Sequence, residues 1–368
     1  MHNLTEEQIS ALSNQLNLAD GHAYRELSAE ESAIIQNLPR IFMQVDRMQQ
    51  REIELAYVQT FLGAARQTCD HDAWSYFMCF TASIGLEVVA NYLRLEKRTA
   101  ALIEPCFDNL HDILRRHDVP LQVFPEAWMQ SRPDELPMHL ERLEADVLFL
   151  VAPNNPSGME LPQENLQVVI DFCEKKKCLL VLDATFRFFQ RPGAVYDQYA
   201  MLARSGIDCI LIEDTGKTWP TKEIKAPFFS VSMGLAPRIA HIYSDFILHV
   251  SPVAIELLRN FVALGTEQVH AVIAANRLAL QEALEGTCLC LQEGGRMSVA
   301  WLQVTGPRTA TQWQALMAEH GLSVLTGVQF YWAHPHAGEK YLRVALQRNP
   351  AMFQLACTRL RALLTAEG

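Results

Sequence analysis

The segment Ile212-Glu213-Asp214-Thr215-Gly216-Lys217-Thr218-Trp219-Pro220-Thr221 directly follows three apolar residues at positions 209–211. An apolar run over 209–212 predicts a buried strand, so Lys217 is expected on the loop just beyond its carboxyl end. A lysine that is desolvated there has a lowered pKa, and its neutral amine can form a Schiff base with a carbonyl group. Most lysines after a strand are solvated surface groups, so the role of Lys217 depends on what the fold places around it.

Short apolar runs alternate with helical patterns on both sides of this segment, from about residue 73 to residue 250. This alternation indicates an α/β fold in which helices cover both faces of a mostly parallel sheet. Ligands bind to such sheets beyond the carboxyl ends of the strands. Strands are predicted at Trp74–Phe80, Ala100–Glu104, Leu121–Phe124, Asp146–Ala152, Cys178–Asp183, Asp208–Glu213 and Phe228–Met233. Helices are predicted at Ser83–Leu95, 108–116, Gln163–Lys175 and Val195–Arg204.

The two ends of the chain have different patterns. Residues 3–16 predict a short, polar, moderately amphipathic helix, and residues 28–60 predict a longer helical stretch. The region after about residue 250 is expected to form a smaller α+β domain packed with the N-terminal segment. Its predicted elements are helices over Ile255–Leu284 and Ala351–Ala366 and strands over Met297–Val304 and Leu342–Leu346.

The composition is ordinary for a soluble globular protein, with 368 residues of which 49% are hydrophobic and 20% charged. A formal net charge of -11 argues against a nucleic-acid binder or a protein of anionic membrane surfaces. The nine cysteines form no CxxC pair and read as reduced thiols. The N-terminus lacks the pattern of a secretory leader, and no apolar run reaches membrane-spanning length. We therefore expect a cytoplasmic protein with neither nucleic-acid nor membrane partners.

Polar residues follow two more of the predicted strands. The turn Ala152-Pro153-Asn154-Asn155-Pro156-Ser157-Gly158 is made of common turn residues, but Asn155 also offers a side-chain donor where a ligand would bind. Asp183 ends four apolar residues, where a carboxylate is costly unless it is paired. It is either a helix cap or surface group, or the partner of a buried cation such as a protonated pyridine nitrogen.

The sequence also offers residues suited to hold a phosphate. Thr81-Ala82-Ser83 opens a predicted helix, and a helix N-terminus is either capped by such residues or binds anions. Lys225 and Thr215 flank Lys217 and could complete a phosphate cup. Each of these features has an ordinary structural explanation when it is judged singly.

The residues around Lys217 are more specific when they are taken together and in this order. They resemble the pattern of the aspartate-aminotransferase-like fold, which is fold type I of the pyridoxal-phosphate (PLP) enzymes of class I and II. The resemblance implies a homodimer in which Lys217 binds PLP covalently and carries a proton. It implies that Asp183 keeps the pyridine nitrogen protonated, and that Asn155 donates a hydrogen bond to the ring oxygen and also binds the substrate. The phosphate group would be held by Thr81, Ala82, Ser83, Thr215 and Lys225.

Four further positions follow from the same resemblance. Phe107 would stack on the cofactor ring, although a Phe after a strand is usually a core residue. Arg343 would clamp the substrate α-carboxylate through a bidentate pair, its alternative being an exposed arginine on an edge strand. Phe186 departs from the pattern, because the fold commonly has a tyrosine there that bonds the ring oxygen. Thr185 is the candidate to replace that hydroxyl.

Four segments are similar to a narrower family, the PLP-dependent L-arginine oxidases and hydroxylases of natural-product pathways. They are 16–23, Phe107-Asp108-Asn109-Leu110, 212–221 and Ile242-Tyr243-Ser244-Asp245, and the similarity extends over nearly the whole chain. It implies O2 as co-substrate with PLP alone, without metal or flavin. Free L-arginine would become 4-hydroxy-2-oxoarginine and/or 4,5-dehydro-2-oxoarginine, with 2-oxoarginine, ammonia and hydrogen peroxide.

The narrower resemblance also implies a lid, formed by the N-terminal helix over the site. Thr5 and Gln8 would face the guanidinium group of arginine, although the position of Gln8 can carry an acid in the family. Asp214 is a candidate guanidinium partner or else a loop carboxylate or helix cap. Asp20 and His22 would complete the lid as catalytic residues, since the pKa of a histidine suits proton transfer or orientation of water. Without the resemblance, His22 is simply a turn residue.

These inferences divide the chain into three parts. They are the lid helix and arm over 1–40, which packs with the small domain, a large PLP-binding domain over 41–255, and a linking helix with the small domain over 256–368. A conventional aminotransferase would share every cofactor residue and is the chief alternative. A PLP-fold regulatory or binding domain and a PLP lyase or cyclase acting on an arginine derivative are further alternatives.

Overall fold

The computed structural model describes residues 3–367; residues 1, 2 and 368, which the predicted domain limits include, lie outside the described part. The α-helices are α1 (Leu4–Ala11), α2 (Ala29–Gln36), α3 (Leu38–Val45), α4 (Gln50–Ala64), α5 (Ala82–Leu95), α6 (Asp108–Arg116), α7 (Leu136–Leu140), α8 (Gln163–Lys176), α9 (Gln198–Ser205), α10 (Ala236–Phe246), α11 (Pro252–Ala263), α12 (Glu267–Leu284), α13 (Ala310–Glu319), α14 (Pro335–Gly338) and α15 (Pro350–Glu367). The strands are β1 (Leu16–Asn17), β2 (Trp74–Met78), β3 (Ala100–Glu104), β4 (Leu121–Pro125), β5 (Val147–Val151), β6 (Leu179–Asp183), β7 (Cys209–Glu213), β8 (Phe228–Ser232), β9 (Leu289–Leu291), β10 (Val299–Val304), β11 (Leu322–Ser323), β12 (Leu325–Thr326) and β13 (Tyr341–Ala345). None of the described helices has both the length and the apolar character needed to cross a membrane.

The large domain is built on a sheet with the strand order β2-β8-β7-β6-β5-β3-β4. Strand β8 is antiparallel to both of its neighbours, and the other neighbouring pairs are parallel. Every residue of β3, β5, β6 and β7 is buried, which explains their continuous apolar runs. The predicted α/β fold is confirmed, with a mostly parallel sheet flanked by helices.

The small domain is built on an antiparallel sheet with the order β12-β13-β10-β9. Helices α12 and α15 pack against each other and bury apolar side chains in a cluster shared with this sheet. Residues of the N-terminal segment join the same cluster, because β1 pairs in parallel with β11 and Leu16 and Leu18 are buried there. Residues 16–18 are thus attached to the small domain.

The structure corrects three of the predicted helices. The helix predicted over 3–16 ends at Ala11, because the chain turns to pair β1 with β11 and the Asn14 side chain bonds Ser323 at 2.6 Å. The stretch 28–60 is three helices, since Pro39 is tolerated only in the first turn of a helix and starts α3. The stretch 255–284 is divided at Gly265, whose φ of +80° is left-handed. Helices α7, α10, α13 and α14 were not predicted, and neither were strands β1, β9, β11 and β12.

The two domains touch backbone to backbone at the turn that follows β5. Gly158 has a φ of +80°, and a Cβ atom placed on it would lie 2.7 Å from the carbonyl oxygen of Gly294 in the small domain. Only glycine fits there, because both the conformation and the space exclude a side chain.

A buried ion pair connects the loops at the carboxyl ends of β6 and β7. Arg187 donates to both carboxylate oxygens of Glu213 over 2.6 to 3.0 Å, and neither side chain is exposed by more than 2%. Gln198 accepts a further hydrogen bond from Arg187, and Tyr199 donates to Glu213. This pair holds the turn after Asp183 against the strand that leads to Lys217.

Replacing Arg187 with methionine should lower the free energy of unfolding by about 3 to 5 kcal/mol, because Glu213 is left as an unpaired buried charge. Urea unfolding followed by circular dichroism measures the change. The double variant R187M/E213L removes both charges and should recover much of the loss. A single variant as stable as the wild type would show that the pair does not hold these loops.

Candidate active site

A cavity of about 240 Å³ lies at the carboxyl ends of the central strands, with α1 over it. Residues from both domains and from the N-terminal segment form its wall. Those predicted from the sequence are Thr5, Gln8, His22, Thr81, Ala82, Ser83, Phe107, Asn155, Asp183, Thr185, Asp214, Lys217, Lys225 and Arg343. The structure thus gathers almost all of the predicted site residues in one place, while the role of each remains a prediction.

The strand directions explain why residues far apart in sequence meet here. Parallel strands end at the same edge of a sheet, so Asn155 after β5, Asp183 at the end of β6 and Lys217 after β7 come together. Strand β8 runs the opposite way and therefore starts at this edge. Lys225, just before β8, is brought beside Lys217 for that reason.

Lys217 lies beside the carboxylate of Asp214, with 3.4 Å between Nζ and Oδ2. The other oxygen of Asp214 accepts the Gly216 N–H at 3.0 Å. Burial acts to raise the pKa of Asp214, but the cations of Lys217 and Lys225 outweigh it and hold that pKa below its ordinary value. Asp214 is therefore an ionised carboxylate that faces the cavity and can bind a cationic group.

Asp183 is a buried carboxylate whose Oδ1 accepts the Thr185 N–H at 2.9 Å. Burial is the largest influence and raises its pKa above the ordinary value, although Thr185 and Lys217 act in the opposite direction. No lysine, arginine or histidine within residues 3–367 forms an ion pair with it. A cationic ring nitrogen would supply the partner that the protein itself does not. Phe186 and Thr185 also lie on the wall.

The first turn of α5 provides the features of a phosphate site. Thr81 caps the helix by accepting the Ile84 N–H at 3.2 Å, and Ala82 and Ser83 follow in the first turn. The first N–H groups of a helix have no acceptor within the helix and favour an anion. Asn109 donates to the Ser83 hydroxyl at 2.9 Å and lies on the wall itself. From the sequence, Asn109 belongs only to the family-like segment 107–110 and is not predicted as a site residue.

His22 is fixed on both sides of its ring. Its Nδ1 lies 2.7 Å from Oδ1 of Asp20, and its Nε2 lies 2.9 Å from the Lys225 ammonium. An ammonium can only donate, so Nε2 is the acceptor and the ring proton is on Nδ1. Burial is the main cause that lowers the pKa of His22 below 6.5, and the Lys217 charge adds to it, while Asp20 opposes it. His22 is thus neutral at pH 7, with an unprotonated Nε2 at the cavity.

The loop that carries Asp20 and His22 depends on Arg348, which was not predicted. Its guanidinium donates to the carbonyl oxygens of Asn17 at 2.7 Å, His22 at 2.8 Å and Asp20. Arg348 itself is 1% exposed. Arg348 lies just before the start of α15, and nothing in the sequence around it predicts these hydrogen bonds.

Arg343 presents a buried guanidinium to the cavity. It donates to Oδ1 of Asn155 at 3.3 Å and to the carbonyl oxygen of Ala19, and it lies over the Phe330 ring. Burial lowers its pKa to about 10, so it stays charged at pH 7. Because Oδ1 of Asn155 is taken by Arg343, the amide NH2 of Asn155 is left to donate to a ligand.

Two predicted residues do not reach the cavity wall. Asp20 contacts His22 instead. Burial acts to raise the pKa of Asp20, but the contacts with His22 outweigh it and hold that pKa below its ordinary value. The hydroxyl of Thr215 accepts the Ala226 N–H at 3.1 Å and is fully buried. Thr215 therefore holds the segment that leads from Lys225 into β8, and it is not among the residues of the cavity wall.

The wall fits PLP. It offers a lysine amine, a buried carboxylate without a basic partner, an aromatic ring at Phe107 and a helix N-terminus with a hydroxyl at Ser83. These groups match the aldehyde, the pyridine nitrogen, the ring face and the phosphate of that cofactor.

Comparison with known proteins supports the same assignment. The family model described as aminotransferase class I and II matches residues 70–360. A structure of MppP soaked with the product 2-ketoarginine has 31% sequence identity, covers 95% of this chain and 99% of MppP, and has a TM-score of 0.86.

Two more distant structures share the fold. An aminotransferase from Mycobacterium tuberculosis has 15% identity, covers 99% of this chain and 96% of its own, and has a TM-score of 0.80. Aspartate aminotransferase from Thermus thermophilus with maleate has 13% sequence identity and a TM-score of 0.79. The match covers 99% of this chain and 97% of the aspartate aminotransferase chain.

The family match, the identity with MppP and the cavity wall agree with the resemblance inferred from the sequence. The chain belongs to the class I and II aminotransferase family of fold type I PLP-dependent enzymes and, within it, to the family that includes MppP.

Proposed function

We propose that this protein oxidises free L-arginine with O2, using PLP bound at Lys217, as a homodimer. The observation that carries the proposal is the cavity itself, which places a buried cation, Arg343, and an ionised carboxylate, Asp214, on the wall around Lys217. Arginine has the complementary charges, a carboxylate and a guanidinium. The 31% identity with MppP, whose structure was soaked with 2-ketoarginine, supports the choice of substrate.

Two sets of residues would bind arginine at its two ends. Arg343 pairs with the α-carboxylate, because a buried guanidinium binds a carboxylate through two parallel hydrogen bonds. Asp214 pairs with the guanidinium, and Thr5 and Gln8 contact it from the lid. Gln8 contributes an uncharged amide, so most of the charge recognition at this end is left to Asp214.

PLP supplies an electron sink when it is bound. Lys217 removes the proton from Cα of the bound amino acid, and Asp214, at 3.4 Å, stabilises the lysine in its protonated form afterwards. Nε2 of His22 becomes free when Lys225 turns to the phosphate, and His22 then accepts a proton there or orients a water molecule towards the arginine side chain, because its Nδ1 proton is held by Asp20. Helix α1 keeps bulk water from the reacting carbon.

The oxidation balances with O2 as the electron acceptor. Formation of 2-oxoarginine removes two electrons, which reduce one O2 to hydrogen peroxide, while water supplies the oxo oxygen and the nitrogen leaves as ammonia. Formation of 4-hydroxy-2-oxoarginine removes two further electrons with a second O2, and water supplies the hydroxyl oxygen. The desaturated product arises when that water is not added.

The purified holoenzyme should consume O2 when it is given L-arginine without any 2-oxo acid acceptor. An oxygen electrode, a peroxide assay and mass spectrometry of the products measure this, with Lys217→Ala as the inactive control. Conversion of the cofactor to pyridoxamine phosphate without O2 uptake would identify a conventional aminotransferase and refute the proposal.

The pH profile of kcat/KM for L-arginine should fall on its acid side with an apparent pKa below 6.5, because protonation of Nε2 removes the base that His22 provides. The variant His22→Asn should lose this acid limb and form a larger share of 2-oxoarginine, while still binding PLP. An unchanged acid limb in the variant would assign the limb to another group and contradict the role of His22.

Arg343→Lys should raise KM for L-arginine by about 10- to 100-fold, since a lysine cannot form the bidentate pair. Agmatine, which is arginine without its carboxylate, provides the control as a competitive inhibitor. Its inhibition constant should be nearly the same for the variant and the wild type. If the variant bound arginine and agmatine more weakly by the same factor, Arg343 would not bind the α-carboxylate.

A further inference from the structure

Helix α1 covers the cavity with one face and packs on protein with another. Thr5 and Gln8 lie on the cavity wall. Leu4 and Ala11 are buried in a small apolar cluster with Ala19, Trp301, Leu325 and Phe330. An eight-residue helix is too short to be stable in isolation, so its tertiary contacts must hold it in place.

Glu7 makes the polar contacts between this helix and the small domain. Its Oε2 accepts a hydrogen bond from the Gln314 side chain at 2.9 Å, and its Oε1 accepts one from the Gln329 side chain at 2.7 Å. Gln314 lies on α13 and Gln329 follows β12, so two separate segments converge on one carboxylate. Hydrogen bonds to an ionised acceptor are stronger than those between neutral groups.

The amide side chains of Gln314 and Gln329 are each held by a second hydrogen bond besides the one to Glu7. Gln314 also donates to the carbonyl oxygen of Val324 at 2.9 Å, and the Gln329 amide oxygen accepts from the Thr326 hydroxyl at 3.0 Å. The amide oxygen of Gln329 is therefore used, which leaves its NH2 group to face Glu7. The two NH2 groups therefore require a side chain at position 7 that accepts hydrogen bonds.

The N-terminal end of the helix is attached to the other domain. The Leu4 N–H donates to Oδ2 of Asp108 at 2.6 Å, and Asp108 belongs to α6 of the large domain. Helix α1 thus contacts the large domain through the Leu4 N–H and the small domain through the Glu7 carboxylate. Successive residues of a helix point about 100° apart, so Glu7 can hold the small domain while Gln8 faces the cavity.

We propose that Glu7 is a positioning residue, which fixes α1 to the small domain and thereby sets Thr5 and Gln8 against the distal end of the substrate. The substrate part of this inference rests on the proposed function, whereas the attachment of α1 does not. Glu7 itself is not among the residues of the cavity wall.

Hydrogen exchange of the holoenzyme tests the attachment directly. In Glu7→Ala, the amides of residues 4–11 should exchange about tenfold faster than in the wild type, without arginine, while the central sheet is unaffected. Ile9→Ala is the matched control, because Ile9 is on the same helix and 62% exposed. Wild-type exchange rates over 4–11 in Glu7→Ala would overturn the proposal.

Steady-state kinetics tests the positioning. Glu7→Ala should raise KM for L-arginine about tenfold relative to Ile9→Ala, with the cofactor absorbance unchanged. Adding Gln329→Ala to Glu7→Ala should have little further effect, because the two residues act as one contact. Faster exchange without any change in KM would overturn the positioning role.

The two arms separate this inference from the proposed function. A wild-type enzyme that neither binds nor consumes arginine would refute the substrate assignment, and the exchange measurement would still decide whether Glu7 holds α1. Normal arginine oxidation in the wild type together with unaltered α1 exchange in Glu7→Ala would refute the role of Glu7 alone.

Discussion

Three buried carboxylates at the ends of two neighbouring strands set the main electrostatic constraint on this fold. Asp183 ends β6, and Glu213 and Asp214 follow each other at the end of β7. A buried charge is costly unless it is paired. Arg187 pairs with Glu213, and Lys217 and Lys225 compensate Asp214. Asp183 forms no ion pair among the described residues and burial raises its pKa, so a cationic ligand beside it would stabilise its ionised form.

The sequence allowed the central sheet and the groups at its edge to be predicted, because both depend on local patterns. Strands β3, β5, β6 and β7 are buried on both faces and therefore appear as unbroken apolar runs. The position of Asp183, Asn155 and Lys217 just after such runs was enough to place them together. The closure by α1 came from the family resemblance rather than from any pattern in residues 3–16.

What could not be predicted involves contacts between distant parts of the chain. Arg348 bonds carbonyl oxygens of Asn17, Asp20 and His22, more than three hundred residues earlier in the sequence. Backbone carbonyl groups are present at every position, so no residue type marks the acceptors of Arg348. The early end of α1 has the same origin, because pairing of β1 with β11 replaces the last predicted turns of the helix.

The contact of Gly158 with Gly294 has a consequence for how such a site can change its substrate. At this point the domains meet through main-chain atoms, so exchanging side chains cannot alter their spacing there without displacing the turn that carries Asn155. Arg343, the proposed carboxylate-binding residue, donates to Asn155 on this same turn, so the backbone contact also restricts the position of that end of the site. Under the proposed function, differences in substrate length would be accommodated at the other end of the cavity, by residues 5 and 8 of α1, so the N-terminal helix would be the part of the molecule where selectivity can evolve most freely.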